Sequence, residues 1–295
     1  MLSENTNKPK VFCVVGPTAS GKTAYAIKKA IECGGEIVSC DSMQIYKYMN
    51  IGTAKATEEE RSMVPHHMID FVDPRTDYSV AEFVKDARCA INDILSRGKL
   101  PVLCGGTGLY IDSVINNIDY PEAERDDEYV AMLWKLAEEK GNEFVHQMLI
   151  EADPEEAEKV HYNNVKRVIR ALEICKTSGM TKTEADKLAI GTPEYEAEFI
   201  GLTMDRERLY DRINLRVDNM MEQGLCDEVK TLVEMGVPKK STAMQAIGYK
   251  EMVAYIEGEC ALCDAIEKIK MESRRYAKRQ MTWFRRNDRI KWIEI

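Results

Sequence analysis

Gly16-Pro17-Thr18-Ala19-Ser20-Gly21-Lys22-Thr23 has the spacing G-x-x-x-x-G-K-[ST], between the apolar run Val11 to Val15 and an amphipathic stretch from Thr23 to Cys33. This order of residues suits a phosphate. The glycines let the backbone N–H groups and the helix N-terminus face an anion, the lysine reaches a second phosphate, and the threonine hydroxyl ligates magnesium, Mg2+. A di- or triphosphate is the expected ligand. Nucleotide hydrolysis calls for a magnesium-holding carboxylate after another short apolar strand, yet Pro101 to Cys104 runs into Gly105-Gly106-Thr107-Gly108. The carboxylate on offer is Asp41, at the tip of Glu36-Ile-Val-Ser-Cys40 and followed by Ser42-Met43-Gln44-Ile45-Tyr46. At a strand tip it could take a proton from a nucleophile; as Asp before Ser it reads equally as a turn or helix cap.

Two further groups of residues could handle phosphates. Arg206, Arg208, Arg212 and Arg216 recur at helical spacing, the last three on one face beside Leu209, Ile213 and Val217. Such guanidinium forks suit a diphosphate, or form a solvated face paired with Asp205, Glu207 and Asp211. Lys278-Arg279-Gln280-Met281-Thr282-Trp283-Phe284-Arg285-Arg286 interleaves bases with aromatics. The pattern fits a grip on nucleic-acid phosphates with stacking on bases, and fits amphipathic core packing of Trp283 and Phe284 as well.

The elements that must position these groups can be read from the order of the apolar runs. Strands at Val11 to Val15, Glu36 to Cys40, Pro101 to Cys104 and Phe199 to Thr203 alternate with helices, one opened by the capping box Ser79-Val-Ala-Glu82. The expected fold is α/β, a P-loop NTPase-like parallel sheet flanked by helices, with Thr18, Asp41 and Thr107 all at strand carboxyl ends, where such sheets bind ligands. Between Ile118 and Met180 the pattern becomes helical, so residues 118–195 are expected to form an all-helical insertion between core segments 1–117 and 196–295. After the returning strand, helices are expected from Arg206 to Gln223, from Asp227 to Met235, after Gly248, and from Ala261 to Arg286.

The chain of 295 residues carries a net charge of −9, unevenly spread. Ile118 to Val160 has fourteen acids and four bases, whereas Met271 to Ile295 has eight bases and three acids. A local basic face therefore survives within an acidic protein. Nine scattered cysteines suit reduced core residues; Cys260-Ala-Leu-Cys263 lacks the partners of a zinc site. The polar start Met1 to Lys10 and the lack of any ~20-residue apolar stretch lead us to expect a soluble, cytoplasmic protein with no membrane segment. No apolar stripe stands out as unclaimed by the core, so a monomer is expected.

Taken together and in order, Gly16 to Thr23, Asp41-Ser42-x-Gln44-x-Tyr46, Ile51-Gly-Thr-Ala-Lys55, Gly105-Gly106-Thr107-Gly108-Leu109-Tyr110, Arg167-x-x-Arg170-Ala171-Leu172-Glu173, Ala246-Ile-Gly-Tyr249 and Lys278-Arg279-Gln280-x-Thr282-Trp283 resemble the bacterial tRNA dimethylallyltransferases over about residues 10 to 290. His66-His67-x-x-Asp70 and Asp73-Pro74 add to the resemblance. It implies transfer of a dimethylallyl group from dimethylallyl diphosphate to N6 of the adenosine at position 37 of tRNA, beside the anticodon. On that reading Asp41 accepts the amine proton and Thr107 lies near the amine. Gly16 to Thr23, with Lys22 and Arg212 or Arg216, receives the diphosphate, and Thr23 holds magnesium. The implied tRNA contacts are Asp41, Ser42, Met43, Gln44 and Thr107; Lys166, Arg167, Val168, Ile169 and Arg170; Gln245, Gly248, Tyr249 and Lys250; and Lys278, Arg279, Gln280, Trp283 and Arg285.

Where many relatives have an arginine in the insertion, alignment on Asp126-Asp127-Glu128-Tyr129 places Val130. A P-loop kinase of small molecules would need an arginine-rich lid in mid-chain, where this sequence is acidic. A free-nucleotide prenyltransferase would share the core motifs, but the helical insertion and basic carboxyl-terminal segment favour tRNA. A non-catalytic RNA-binding module would have no use for Lys22 and Thr23 beside Asp41.

Overall fold

Short apolar runs followed by amphipathic ones fold into strands backed by helices, and the strand ends gather the loops. A computed structural model of the chain describes residues 8–120 and 125–295; residues 1–7, in the polar N-terminal stretch, and 121–124, in the acidic segment, lie outside them. β1 (Lys10–Val15) enters the phosphate loop and α1 (Lys22–Cys33), then β2 (Glu36–Ser39). Next come α2 (Glu58–Met63), β3 (His66–His67), α3 (Val80–Ser96), β4 (Pro101–Gly105) and α4 (Gly108–Ile115). Helices α5 (Asp127–Lys140), α6 (Asn142–Ala152), α7 (Pro154–Lys159), α8 (Val165–Ser178) and α9 (Lys182–Ala189) follow. The chain continues through β5 (Glu196–Thr203), α10 (Arg206–Glu222), α11 (Leu225–Glu234), α12 (Tyr249–Ile256), α13 (Leu262–Phe284) and β6 (Ile290–Glu294).

These residues form two compact units, one of the chain up to Ile115 with Pro193–Ile295, the other of Asn116–Thr192. In the larger unit, six strands among the described residues make one sheet, ordered β3-β2-β4-β1-β5-β6 with every pairing parallel. β1 is central. Val14 pairs with Cys104 on one side and Ile200 on the other, which fixes the phosphate loop between two strand ends. Ala26, Ile27 and Ala30 form the buried stripe of α1 against Phe12, Val14, Val102 and Ile200. A second cluster joins Ile45 and Tyr46, after β2, to Met220, Val229, Tyr249, Met252 and Ile269 of α10 to α13.

The expected capping box is present: the Ser79 hydroxyl accepts from Glu82 N–H while the Glu82 carboxylate accepts from Ser79 N–H. At the opposite end of the sheet the Glu36 carboxylate, 1% exposed, is ringed by cations. It accepts from Arg97 Nη1, from Arg97 Nη2 at 2.8 Å and from Lys99 Nζ at 2.7 Å, with His67 Nε2 2.7 Å away. Those hydrogen bonds, Arg97 first, hold its pKa well below the usual carboxylate range.

The smaller unit packs Leu133 and Ala137 of α5, Val145 and Leu149 of α6, and Val168, Ile169 and Leu172 of α8 around one core. Asp153 is its polar pin. It is 1% exposed. Oδ1 accepts from Glu156 N–H at 3.1 Å and from the Thr183 hydroxyl at 2.9 Å, and Oδ2 from Thr183 N–H at 2.8 Å. Val130, aligned with the relatives' arginine, packs half-buried against this core.

Candidate active site

The phosphate loop has the backbone its glycines require. Gly16 has φ 145°, and a Cβ there would lie 2.6 Å from the Leu202 carbonyl oxygen on β5. Gly21, at φ 82°, caps α1 without a side-chain hydrogen bond, and the first turn of the helix carries no acid. The N–H groups of that turn are thus left for an anion. Lys22 Nζ folds back to donate to the Pro17 carbonyl at 2.6 Å, and burial, helped by the nearby Arg216 cation, pushes its pKa down to about 8. Ser20 is fully buried, and its hydroxyl has no hydrogen-bond partner among the described residues. One expectation changes: the Thr18 N–H donates to Gln280 Oε1 at 2.8 Å, so it is already committed and the open amides begin beyond it.

Asp41 lies just past β2, where Cys40 N–H donates to the Cys104 carbonyl at 2.8 Å. Its Oδ1 accepts from Met43 N–H at 2.9 Å and Gln44 N–H at 3.3 Å. One oxygen caps a turn and Oδ2 remains to take a proton, so the two readings of Asp41 are compatible. Ser42 N–H donates to Thr107 Oγ1 at 3.1 Å, which holds this turn against the glycine-rich one after β4. Lys22 and Arg216 both feel the Asp41 charge, placing all three in one electrostatic neighbourhood.

The arginine series divides by position. Arg216 Nη2 donates to the Thr53 carbonyl at 3.4 Å, and burial lowers its pKa. Arg212 brings Nη2 to 4.0 Å from where a Cβ at Gly21 would lie. Arg208 instead donates to the Ile295 carbonyl at 3.0 Å, and Arg206 lies over the Tyr210 ring. Thr53 is fixed from beneath. Glu228 accepts the N–H groups of Asn50, Ile51 and Gly52 at 2.8, 2.8 and 3.2 Å, and the Tyr249 hydroxyl at 2.6 Å. Gln44 Nε2 donates to the carbonyls of Thr53 and Ala54, both at 3.2 Å.

On α13, Lys278, Arg279 and Arg285 are exposed, while Gln280 and Trp283 turn inward. Trp283 Nε1 donates to Asp112 Oδ2 at 2.6 Å, and Arg286 lies 4.2 Å over its ring. Four of the expected RNA contacts have buried side chains, Gln280 at 4% exposure among them. Val168 and Ile169 are buried in the core of the smaller unit, and Tyr249 is 0% exposed with its hydroxyl on Glu228, so these side chains serve packing. Gly248 is also buried, whereas Lys166, Arg167, Arg170 and Gln245 are exposed and Lys250 is half-buried. Arg170 pairs with Glu173 at 2.6 Å and Lys250 with Glu251 at 3.6 Å.

The family model described as IPP transferase matches residues 44–287, and the one described as isopentenyl transferase matches residues 9–70. The chain belongs to the IPP transferase family. The tRNA dimethylallyltransferase of Acetivibrio thermocellus is 52% identical over 284 residues, 96% of this chain and 91% of that one. A full-length tRNA isopentenylpyrophosphate transferase of known structure from Bacillus halodurans is 45% identical, with TM-score 0.73 over 97% of this chain and 90% of that one. A eukaryotic dimethylallyltransferase, described in structures as acting on tRNA, is 32% identical, with TM-score 0.81 over 97% of this chain and 74% of that one.

For this IPP transferase, no group of three or more His, Cys, Asp or Glu among the described residues could cage a metal. Thr23, half-buried in the first turn of α1, offers a single hydroxyl. That donor set fits a hard cation such as magnesium, which keeps waters and shares phosphate oxygens rather than filling a protein cage. Tyr276 falls outside the motifs singled out in the sequence; it is half-buried, and burial, with the Asp41 charge, pushes its pKa up to about 12. The signal was available: Tyr276, Gln280 and Trp283 stand four and three residues apart, on one helix face.

Proposed function

We propose that this protein transfers a dimethylallyl group from dimethylallyl diphosphate to N6 of the adenosine at position 37 of tRNA, releasing diphosphate. The observation that carries this reading is the Asp41 turn, fastened to Thr107 and lying in the field of Lys22 and Arg216 beside the phosphate loop. In the reaction the bond between C1 of the dimethylallyl group and the diphosphate oxygen breaks, N6 bonds to C1, and a proton leaves N6. An adenine amine is a poor nucleophile because its lone pair is delocalised into the ring, so the proton needs an acceptor, and Asp41 Oδ2 is suited to the task.

Charge grows on the departing diphosphate. The first-turn amides of α1, Lys22 and Arg216 meet it, and a fixed array of such donors stabilises developing negative charge without reorganising at the moment of reaction. Arg212, whose Nη2 lies near Gly21, is assigned to the outer phosphate on the strength of that position. Mg2+, held by Thr23 and the diphosphate, would neutralise part of the leaving group's charge. The acceptor base must leave the anticodon stack to reach Asp41, with Thr107 near its amine.

The exposed Lys278, Arg279 and Arg285 suit the RNA backbone, as do Lys166, Arg167 and Arg170 of the helical unit, which we assign to tRNA binding. Ser42, Met43, Gln44 and Gln245 complete the proposed RNA-facing set. No helix among the described residues is long and apolar enough to cross a membrane. The proposal includes a cytoplasmic, monomeric enzyme.

The test is to incubate the protein and magnesium with labelled dimethylallyl diphosphate and an unmodified anticodon stem-loop, with AMP and ATP as competing acceptors. Label should enter the stem-loop and be lost with Asp41→Ala. Label on AMP or ATP instead would make the protein a free-nucleotide prenyltransferase.

A further inference from the structure

Gln280 sits in a basic motif read as RNA-facing, yet its side chain is 4% exposed and both ends of its amide are engaged. Oε1 accepts from Thr18 N–H in the phosphate loop at 2.8 Å, and Nε2 donates to the Gly106 carbonyl at 3.0 Å, in the turn that presents Thr107. The fit is close: a Cβ on Gly106 would lie 2.1 Å from Nε2. A primary amide is the neutral group of this length that accepts at one terminus and donates at the other. Tyr276, one helical turn earlier, is half-buried on the same face of α13.

We propose that Gln280 is a positioning residue that clasps the phosphate loop to the Gly106–Thr107 turn, holding the donor's diphosphate and the acceptor amine in register. The inference rests on the proposed transfer reaction for its kinetic arm only. Gln280 touches neither substrate. It acts through the Thr18 amide on one side and through Thr107 on the other, on the same helix whose outer face carries Lys278 and Arg279. Displacing either loop by a fraction of an ångström separates the reacting atoms, the kind of misplacement that costs large factors in rate.

Gln280→Met keeps the volume and removes both hydrogen bonds. Calorimetry should show inorganic diphosphate bound about tenfold more weakly, and stem-loop transfer should lose about thirtyfold in kcat, with the stem-loop KM within about twofold of wild type. Thr107→Val is the second half of a double-mutant cycle. If Gln280 acts through that turn, the double variant's kcat stays within about twofold of the slower single variant; independent effects would multiply. Gln280→Asn guards against a folding defect, because it keeps a neutral primary amide but is one methylene too short to reach both loops, and it too should lose kcat while melting within a few degrees of wild type. Wild-type diphosphate affinity and kcat in Gln280→Met, wild-type kcat in Gln280→Asn, or multiplicative effects in the cycle would overturn the proposal. Should the wild type bind diphosphate and transfer nothing to RNA, the reaction assignment fails, and the diphosphate arm still decides whether Gln280 organises the loop.

Discussion

Ser42 gives its N–H to Thr107 Oγ1 at 3.1 Å, and Thr107 gives its own N–H to the carbonyl of Cys40 at 3.2 Å. Two turns distant in sequence are stitched in both directions, and Asp41 lies inside the stitch. Asp41→Asn keeps an oxygen for the Met43 and Gln44 amides but has no basic carboxylate. Single-turnover transfer should fall about 10²- to 10⁴-fold while melting temperature and stem-loop affinity stay unchanged. A wild-type rate in this variant would place the base elsewhere.

Lys22 supplies a pH signature. In the free protein its pKa is pushed down to about 8, so it is a cation below that pH and neutral above. Diphosphate binds the cation better, so affinity should be highest below pH 8 and weaken as pH rises, by up to about tenfold per unit. Calorimetric titration with inorganic diphosphate from about pH 7 to 9.5 measures this, with Lys22→Met, which should lack the Lys22 component, as the reference for the ligand's own ionisation.

Glu36 tests the opposite end of the sheet. Its folded pKa is depressed by Arg97, Lys99 and His67, so the stability it contributes is fully present above its ordinary value of 4.5 and is lost as pH falls through the folded value. Glu36→Gln leaves the cations without their anion and should cost about 3 kcal/mol at neutral pH, the difference from wild type shrinking in acid. Denaturant titrations at about pH 7 and about pH 3 give both numbers.

Removing the Glu228 carboxylate strands three loop amides and the Tyr249 hydroxyl together. Glu228→Ala should destabilise the protein by about 3 kcal/mol and weaken diphosphate binding, because Thr53, the partner of Arg216 and Gln44, loses its support. Tyr249→Phe removes one donor and should cost about 1 kcal/mol in the same urea titration.

Asp153→Ala strikes the smaller unit alone. With three hydrogen bonds lost from a buried carboxylate, α7 and the start of α9 should exchange amide hydrogens faster, by hydrogen–deuterium mass spectrometry. Stem-loop binding should drop, and inorganic diphosphate affinity should remain that of the wild type. Unchanged stem-loop affinity despite the faster exchange would remove the helical unit from the RNA-binding surface.

The phosphate loop, the Asp41 turn and the Thr107 turn were legible because each is a local motif at the end of an apolar strand. The edges of the sheet were not. β3 is only His66–His67, and β6, over Ile290–Glu294, mixes charge with apolar residues, so neither shows the continuous apolar run of the central strands. α2 buries no residue and leaves no stripe to read. The insertion was expected over 118–195, and the compact unit spans Asn116–Thr192. Val168 and Ile169 fall inside the segment that the resemblance implies for RNA, but with Leu172 they mark the buried apolar face of α8. Gln280 was hidden for another reason: its partner Thr18 lies 262 residues away, and no local pattern encodes a contact of that range.

That separation also orders the birth of the molecule. β1 emerges from the ribosome early, yet its β5 neighbour follows a whole helical unit, and the Thr18 clasp waits for α13. Loop closure of this span is slow and entropically costly, so until β5 arrives β1 presents an unpaired apolar edge, and the clasp on Thr18 comes later still. Nascent chains halted before α13 should therefore depend on chaperones and lack the finished donor loop, which confines competence for diphosphate to translation products that include α13.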